Sequence, residues 1–522
     1  MFLLSSHPQE ARPRALAQGR AFSCLSLLKD PPVKLFARDR FEGNRQDGNP
    51  PLLWLADKDP LTLADLFPGV SVLGQAGSGK TSGLITLAIP LLLMGCGFVW
   101  LCAKPDEAGM LWRLVKATRR EKQFVLFGQD IDRDTGVPLV DRNGQPVMTG
   151  HRFNALDYES RRSGGTLSLV HYLAEIASSL NKGRSQGREE SPFWKEQFEM
   201  LLAYCIDVAT LADLVVSVGL LRDIQKSAPR DRGELDSREW QETSVLMQAL
   251  RRIEARVEAG EVAEVELGRC LDFWLKDYFR LDEKPRSIID VMMAALVNLY
   301  ARDPVRTLLT TSTTFTPEDV MAGAVVCLNL PTRTFFEPGR LAQFHFKYSY
   351  QRSVLEQARL PIPCVLWGDE YHNFVADFDA EFFAEARSRQ SITVSLEQGI
   401  GGYKRALGLS DRRDVDAFLA NLTVKLFFGN SSVETNEYAA EVFARELAEM
   451  ESGGSGSGNG YGPNVNTGWQ QQEQYQVRPV EFTRLKSGGG SVEAFVYRRG
   501  QVFHATGANW LKTAFRQTEF TR

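Results

Sequence analysis

The sequence is poor in the residues that would announce several kinds of chemistry. Its 522 residues carry seven cysteines and six histidines. Cys24, Cys96, Cys102, Cys205, Cys270, Cys327 and Cys364 form no C-x-x-C pair and mostly sit in apolar stretches, the usage of reduced core thiols in a cytosolic protein. The histidines show no metal-ligand spacing, which leaves no zinc motif. There is no basic surplus either: 61 Lys and Arg against 65 Asp and Glu give a net charge of −4. Any contact with nucleic acid must therefore come from a local basic surface. The opening "MFLLSSHPQEARPRALAQGR" has an apolar run too short for a signal-peptide core. What remains is an ordinary globular balance, 43% hydrophobic and 24% charged, in a chain long enough for two to four domains of roughly 100–200 residues each.

One long apolar run is present, from Leu84 to Ala103, inside "VLGQAGSGKTSGLITLAIPLLLMGCGFVWLCAKPDE" (Val72–Glu107). Its length could cross a bilayer, but its flanks argue for a buried core. "GVSVLG" upstream reads as a short strand, and Gly74–Thr81 matches G-x-x-x-x-G-K-[ST], which requires a strand before it and a helix after it. The run also breaks at Pro90 and at Gly95–Gly97, which predicts a helix over about 80–94, a glycine turn and a second buried strand, "FVWLCA". In this phosphate cradle Gly74, Gly77, Ser78, Gly79, Lys80 and Thr81 bind the nucleotide. Lys80 reaches the β/γ-phosphates, Thr81 holds Mg²⁺, and Gly77 and Gly79 allow the tight loop. The expected cofactors are ATP and Mg²⁺.

A P-loop enzyme needs a second strand that delivers a carboxylate to the metal. "PCVLWGDEYHNF" supplies one, with a strand over Cys364–Gly368 ending at Asp369, which binds Mg²⁺ through water, and Glu370, the general base. Downstream, Phe382, Phe383 and Ala386 give a helical face ending near Arg387 and Arg389. "SITVSLEQ" is then a further strand, tipped by Gln398, a residue placed to sense the γ-phosphate. Arg387 or Arg389 could reach a neighbouring subunit as an arginine finger; helix-end arginines also simply complement the helix dipole.

These blocks, in this order, resemble the FtsK/HerA superfamily of ring-forming DNA motors, and within it the type IV coupling proteins (TraG/TraD-like). "CAKPDE" stands where the family has an Asp-Pro-Lys-Gly-Glu-like turn: Lys104 and Glu107 are kept, and Cys102 or Ala103 replaces the leading Asp. "RFNALDY" (Arg152–Tyr158) is similar to the family's Phe-Asn-Pro-Leu motif, with Ala155 for proline. "SPFWKEQFEMLLAYCIDVA" resembles the entry into an inserted helical domain, and "FLANLTVKLFFGN" and the closing "EAFVYRRGQVFHATGANWLKTAF" the last core strands. The likeness covers roughly residues 60–517. It implies catalytic roles for Glu370, Arg387 and Gln398, metal binding by Thr81 and Asp369, and a homo-hexameric ring around single- or double-stranded DNA. Family members typically begin with transmembrane helices, and no such segment precedes Gly69 here. The expectation is a cytoplasmic protein, or one held peripherally at the inner membrane by a secretion or relaxase complex. A HerA-like motor of DNA repair or phage defence, and a nucleotide-gated scaffold that recruits protein substrates, are the alternatives.

The expected fold is α/β, a RecA-like P-loop NTPase with a parallel sheet flanked by helices and an inserted all-α domain. Residues 1–60 read as an irregular N-terminal extension. Residues 61–181 read as the first part of the nucleotide-binding domain, including a β-hairpin insert within 108–150. There Asp130, Asp132, Asp134 and Asp141 fit turn chemistry rather than a calcium loop. Residues 182–300 form the helical domain, entered through "NKGRSQGREE" (Asn181–Glu190), a solvated loop or a DNA-facing one. Residues 301–522 complete the nucleotide-binding domain, and Gly/Ser/Gln-rich 451–477 reads as a flexible loop. Its Trp469 and Tyr475 could stack on bases or dock on a partner.

Overall fold

The computed structural model describes residues 49–162, 165–181, 192–456 and 464–518. Thirteen strands are present among them: β1 Pro51–Ala56, β2 Asp59–Thr62, β3 Val70–Leu73, β4 Gly97–Leu101, β5 Phe124–Gly128, β6 Val325–Asn329, β7 Cys364–Gly368, β8 Ser391–Glu397, β9 Val424–Phe428, β10 Arg445–Gly456, β11 Asn464–Tyr475, β12 Ser491–Arg498 and β13 Trp510–Arg516. Nine of them form one sheet in the order β13-β12-β9-β3-β8-β7-β4-β6-β5. Every pairing from β9 to β5 is parallel, and β12 and β13 close one edge antiparallel.

The parallel strands are covered on both faces, and most are near-continuously apolar; β8, "SITVSLE", alternates Ser391, Thr393 and Ser395 with Ile392, Val394 and Leu396 yet is buried throughout. Phe98 and Trp100 of β4 point to the face covered by helices Lys80–Leu93 and Glu107–Ala117 and by β1 and β2; Val99 and Leu101 point to the opposite face, covered by helices that include Thr332–Glu356 and Phe378–Arg389. Trp100 and Trp367, paired in register on β4 and β7, stack with centroids 4.9 Å apart. The long apolar run is thus divided as its glycines and proline imply. Helix Lys80–Leu93 carries Pro90, turns at Gly95 (φ 83°) and passes into β4. No helix among the described residues is long and apolar enough to cross a membrane.

Four boundaries differ from the sequence reading. Residues 51–60 are not irregular: β1 and β2 form an antiparallel hairpin in which Leu52, Leu53, Leu55 and Leu61 are all buried, the short "PLLWLA" run being decisive. The helical insertion starts earlier than residue 182. It occupies the chain between β5 and β6, beginning with helices Ala155–Ser160 and Gly165–Asn181 and ending with Pro317–Met321. After β5, within 129–148, the pairing is by isolated antiparallel bridges (Gln129↔Met148, Ile131↔Pro138, Val140↔Pro146) rather than a regular hairpin. Asp132 and Asp141 there each accept backbone N–H groups of their own turns, as turn residues do.

The fourth difference is the largest. The segment read as a flexible loop lies mostly in β10 and β11, which pair along their full length from Arg445↔Tyr475 to Gly456↔Asn464. Composition hides such a ribbon because a backbone ladder needs no apolar side chains. Tyr475 is engaged there, since Arg445 donates to its hydroxyl at 2.9 Å and stacks on its ring. The stretch 182–190, read above as a solvated or DNA-facing loop, and residues 457–463 lie outside the described residues, as do residues 1–48.

The helical insertion is tied to the sheet layer through helix Thr332–Glu356. Its buried His345 bonds to the hydroxyls of Tyr172 and Tyr300, from two helices of the insertion. Burial pushes the His345 pKa down to about 3, so the ring is neutral and can accept from one tyrosine while donating to the other.

Candidate functional site

The parallel strands end level with one another. In register, Leu73 of β3 pairs with Glu397, Gly368 of β7 with Ser395 of β8, and Leu101 of β4 with both Gly368 and Leu328. The residues just past each strand are therefore gathered at the carboxyl edge of the sheet, where open α/β sheets bind ligands.

After β3 the chain forms the cradle. Gly74 N–H donates to the Glu397 carbonyl and Gln75 N–H to that of Gly429, which pins the loop to its neighbouring strands. Gly77 and Gly79 lie at φ 77° and 81°, a left-handed conformation costly for other residues. At Gly79 a Cβ would also come within 2.4 Å of Val492. The loop then feeds a 14-residue helix at Lys80, whose free N–H groups and dipole favour an anion. Lys80 is buried, and Ser78 Oγ is buried with no partner among the described residues.

Across the cradle, β7 delivers Asp369 and Glu370. Thr81 Oγ1 donates to Asp369 Oδ2 at 2.7 Å, and Lys80 Nζ lies 4.0 Å from Asp369 Oδ1. Lys104, three residues past the end of β4, reaches Asp369 at 3.1 Å and Glu370 at 3.0 Å, and Arg333 reaches Glu370 at 3.4 Å. Burial raises the Asp369 pKa, but the charges of Lys80 and Lys104 and the Thr81 hydroxyl outweigh it and hold the carboxyl below its usual range. Glu370 adopts φ 50°, ψ 51°, a conformation that stores strain in a non-glycine residue and recurs at functional sites. Glu107 accepts the Ala103 N–H at 2.8 Å, and burial, with the nearby Asp369 charge, pushes its pKa well up.

These groups line a pocket of about 620 Å³, within the span of about 300–1,000 Å³ usual for small-molecule sites. The structure brings Gly77, Gly79, Lys80, Thr81, Asp369, Glu370 and Gln398 to its wall, with Gly74 and Ser78 in the same loop. Gln398 follows β8 between the cradle and the carboxylates, and its N–H donates to Glu397 Oε1 at 2.7 Å. Glu397 in turn accepts from His372 N–H at 3.0 Å and contacts His372 Nδ1 at 2.6 Å, so it ties the turn after Glu370 to the base of Gln398. Arg387 is exposed on helix Phe378–Arg389 and lies outside the pocket wall of its own chain. Sequence reasoning gave no role to Lys104, Arg333 or Glu397. What they share is a charge at, or a few residues past, the end of a wholly buried parallel strand.

The level strand ends, the glycine loop and the opposed carboxylates define a RecA-like P-loop NTPase fold with an inserted helical domain. The solved structure of the bacterial conjugative coupling protein TrwBdeltaN70, trigonal form in complex with sulphate, shares that fold. It matches with a TM-score of 0.53 at 14% identity, covering 94% of this chain and 97% of that one. The plasmid coupling protein TrwB in complex with ADP and Mg²⁺ matches with a TM-score of 0.50 at 13% identity, over 88% of each chain. By sequence, the type 4 coupling protein DotL of Legionella pneumophila is 30% identical over 97 residues, 18% of this chain. The match spans 11% of the length of that curated relative. No family-wide sequence profile matches the chain.

Proposed function

We propose that this protein is an ATPase of the conjugation and type IV secretion coupling type, which hydrolyses ATP to move DNA through a ring of identical subunits. The observation that carries the reading is the Thr81–Asp369 hydrogen bond at 2.7 Å with Glu370 beside it. A hydroxyl and a carboxylate in contact across a phosphate cradle are the hard-oxygen set that Mg²⁺ takes beside nucleotide phosphates. Mg²⁺ held by Thr81 and Asp369 would supply charge neutralisation at the β- and γ-phosphate oxygens.

The remaining roles fall to the chain's own residues. The amides of Gly77, Gly79 and Lys80 and the Lys80 ammonium bind the β/γ-phosphates. Glu370 orients the attacking water and takes its proton, and Gln398 lies where the γ-phosphate can be sensed. Lys104 and Arg333 compensate the Glu370 charge while no phosphate is present. Arg387, exposed and away from its own pocket, completes the site of the next subunit. The fold shared with coupling proteins supports the transport role and the recruitment of a membrane-bound secretion or relaxase partner.

The test is ATPase activity with and without single- and double-stranded DNA, for wild type, Lys80→Ala and Glu370→Gln. Hydrolysis stimulated by DNA and lost in both variants supports the motor. ATP binding with hydrolysis indifferent to DNA returns the nucleotide-gated scaffold in its place.

A further inference from the structure

Ten residues after Asp369 lies a second carboxylate with a different setting. Asp379, fully buried, accepts four hydrogen bonds from three elements. Oδ2 takes Lys347 Nζ at 2.6 Å and Ala376 N–H at 2.8 Å, and Oδ1 takes Gln351 Nε2 at 2.6 Å and Tyr371 Oη at 3.1 Å. Lys347 Nζ also bonds the Phe374 carbonyl at 2.6 Å. Three of these five bonds reach the segment 371–376, which begins at the residue after Glu370; the other two join Asp379 to Lys347 and Gln351 of helix Thr332–Glu356. Asp379 itself belongs to the first turn of helix Phe378–Arg389, whose last turn carries Arg387.

We propose that the Tyr371–Asp379 contact is a strut that fixes the position of Arg387 relative to Glu370, so that the base of one site and the finger offered to the neighbouring site move as one body. This rests on the function proposed above. A buried ion pair is weak evidence of stability for its own sake, because desolvation offsets most of the attraction, but a fully satisfied polar network fixes geometry. The geometry fixed here joins two groups that would serve different active sites of one ring. Helix Phe378–Arg389 is a single rigid rod from Asp379 to Arg387, so a shift of the Glu370 turn on nucleotide entry is carried to the subunit boundary. Tyr371 and Asp379 touch no substrate; they are positioning residues.

Tyr371→Phe removes one hydroxyl and little volume, and a double-mutant cycle with Arg387→Ala reads the coupling. Gln351→Met removes the other bond to the same Asp379 oxygen and leaves the Tyr371 bond from the Glu370 turn in place. The expected result is a kcat reduced roughly tenfold to a hundredfold in Tyr371→Phe, with affinity for a non-hydrolysable ATP analogue unchanged. Adding Tyr371→Phe to Arg387→Ala should bring no further loss, whereas Gln351→Met lowers Tm without entering the cycle. Losses that multiply in the double variant overturn the strut. So does a Tyr371→Phe protein that is less stable but equally active, or an Arg387→Ala protein as active as wild type. A wild-type protein that binds no ATP strikes the proposed function itself.

Discussion

Two carboxylate clusters stand ten residues apart in sequence, and they are built for opposite purposes. Around Asp369 and Glu370 two of the three cations are accessible, Lys80 alone being buried. Lys104 is 26% exposed and Arg333 62%, and the contacts of Glu370 are ones that an incoming phosphate can compete for. Around Asp379 nothing is accessible, with Lys347 at 2% and the aspartate at 0%, and each carboxylate oxygen has two donors. The first cluster is charge waiting for a ligand. The second is charge closed on itself, and what it provides is position. Burial alone does not separate them, since Asp369 is as deep as many core residues; the difference lies in how many of the partners face solvent.

Removing a member of the open cluster should cost chemistry, and this is the largest effect expected. Glu370→Gln should lower the ATPase rate by about 10²–10⁴-fold while equilibrium ATP binding and Tm stay near wild type. Removing a member of the sealed cluster should cost stability instead. Asp379→Ala leaves an ammonium buried without its counter-ion and should destabilise by about 3–5 kcal/mol, read by urea unfolding. The pair Lys347→Met with Asp379→Leu should recover much of that loss, because isosteric apolar replacement removes both desolvated charges.

His345 extends the contrast to pH. Its folded pKa, held down to about 3 by burial, lies below the unfolded value near 6.5. Its contribution is therefore complete above pH 6.5 and is lost as pH falls from there toward 3. Thermal stability should decline across that window, and the slope should flatten in His345→Gln. Asp369 behaves in the same sense lower down: its depressed pKa contributes stability above the ordinary carboxyl value, about 3.9, that disappears as pH drops through the folded value. The smallest effect belongs to Arg333→Ala. An ion pair at 3.4 Å with its arginine mostly exposed is worth under about 1 kcal/mol, so Tm should stay within scatter of wild type.

The same division explains what the sequence made legible. The cradle is a contiguous motif whose chemistry needs those residues at that spacing, and Gly74–Thr81 could be read directly. Asp369–Glu370 and Gln398 were legible because uninterrupted buried strands of five to seven residues mark a doubly covered parallel sheet, and the residues just past such strands meet at one edge. Lys104 and Arg333 needed the strand order as well: only once β4 lies beside β7, and β6 beside β4, do those residues face Glu370. The Asp379 network was hidden because Lys347, Gln351 and Asp379 look like ordinary polar positions on two helices, and only packing shows them buried. The ribbon of β10 and β11 was misread for the converse reason: its pairing is carried by backbone, to which composition is blind.

The central claim is that the site is completed between subunits, Glu370 from one and Arg387 from the next. The direct test is to co-express Glu370→Gln and Arg387→Ala chains with different tags, purify the mixed assemblies and measure ATP hydrolysis against each variant alone. Each variant alone should hydrolyse ATP only at a low residual rate, and the mixed assembly should hydrolyse it well above that rate, because some boundaries then pair an intact Glu370 with an intact Arg387. A mixed assembly as inactive as its parts, or an Arg387→Ala protein that hydrolyses ATP at the wild-type rate, would contradict the account.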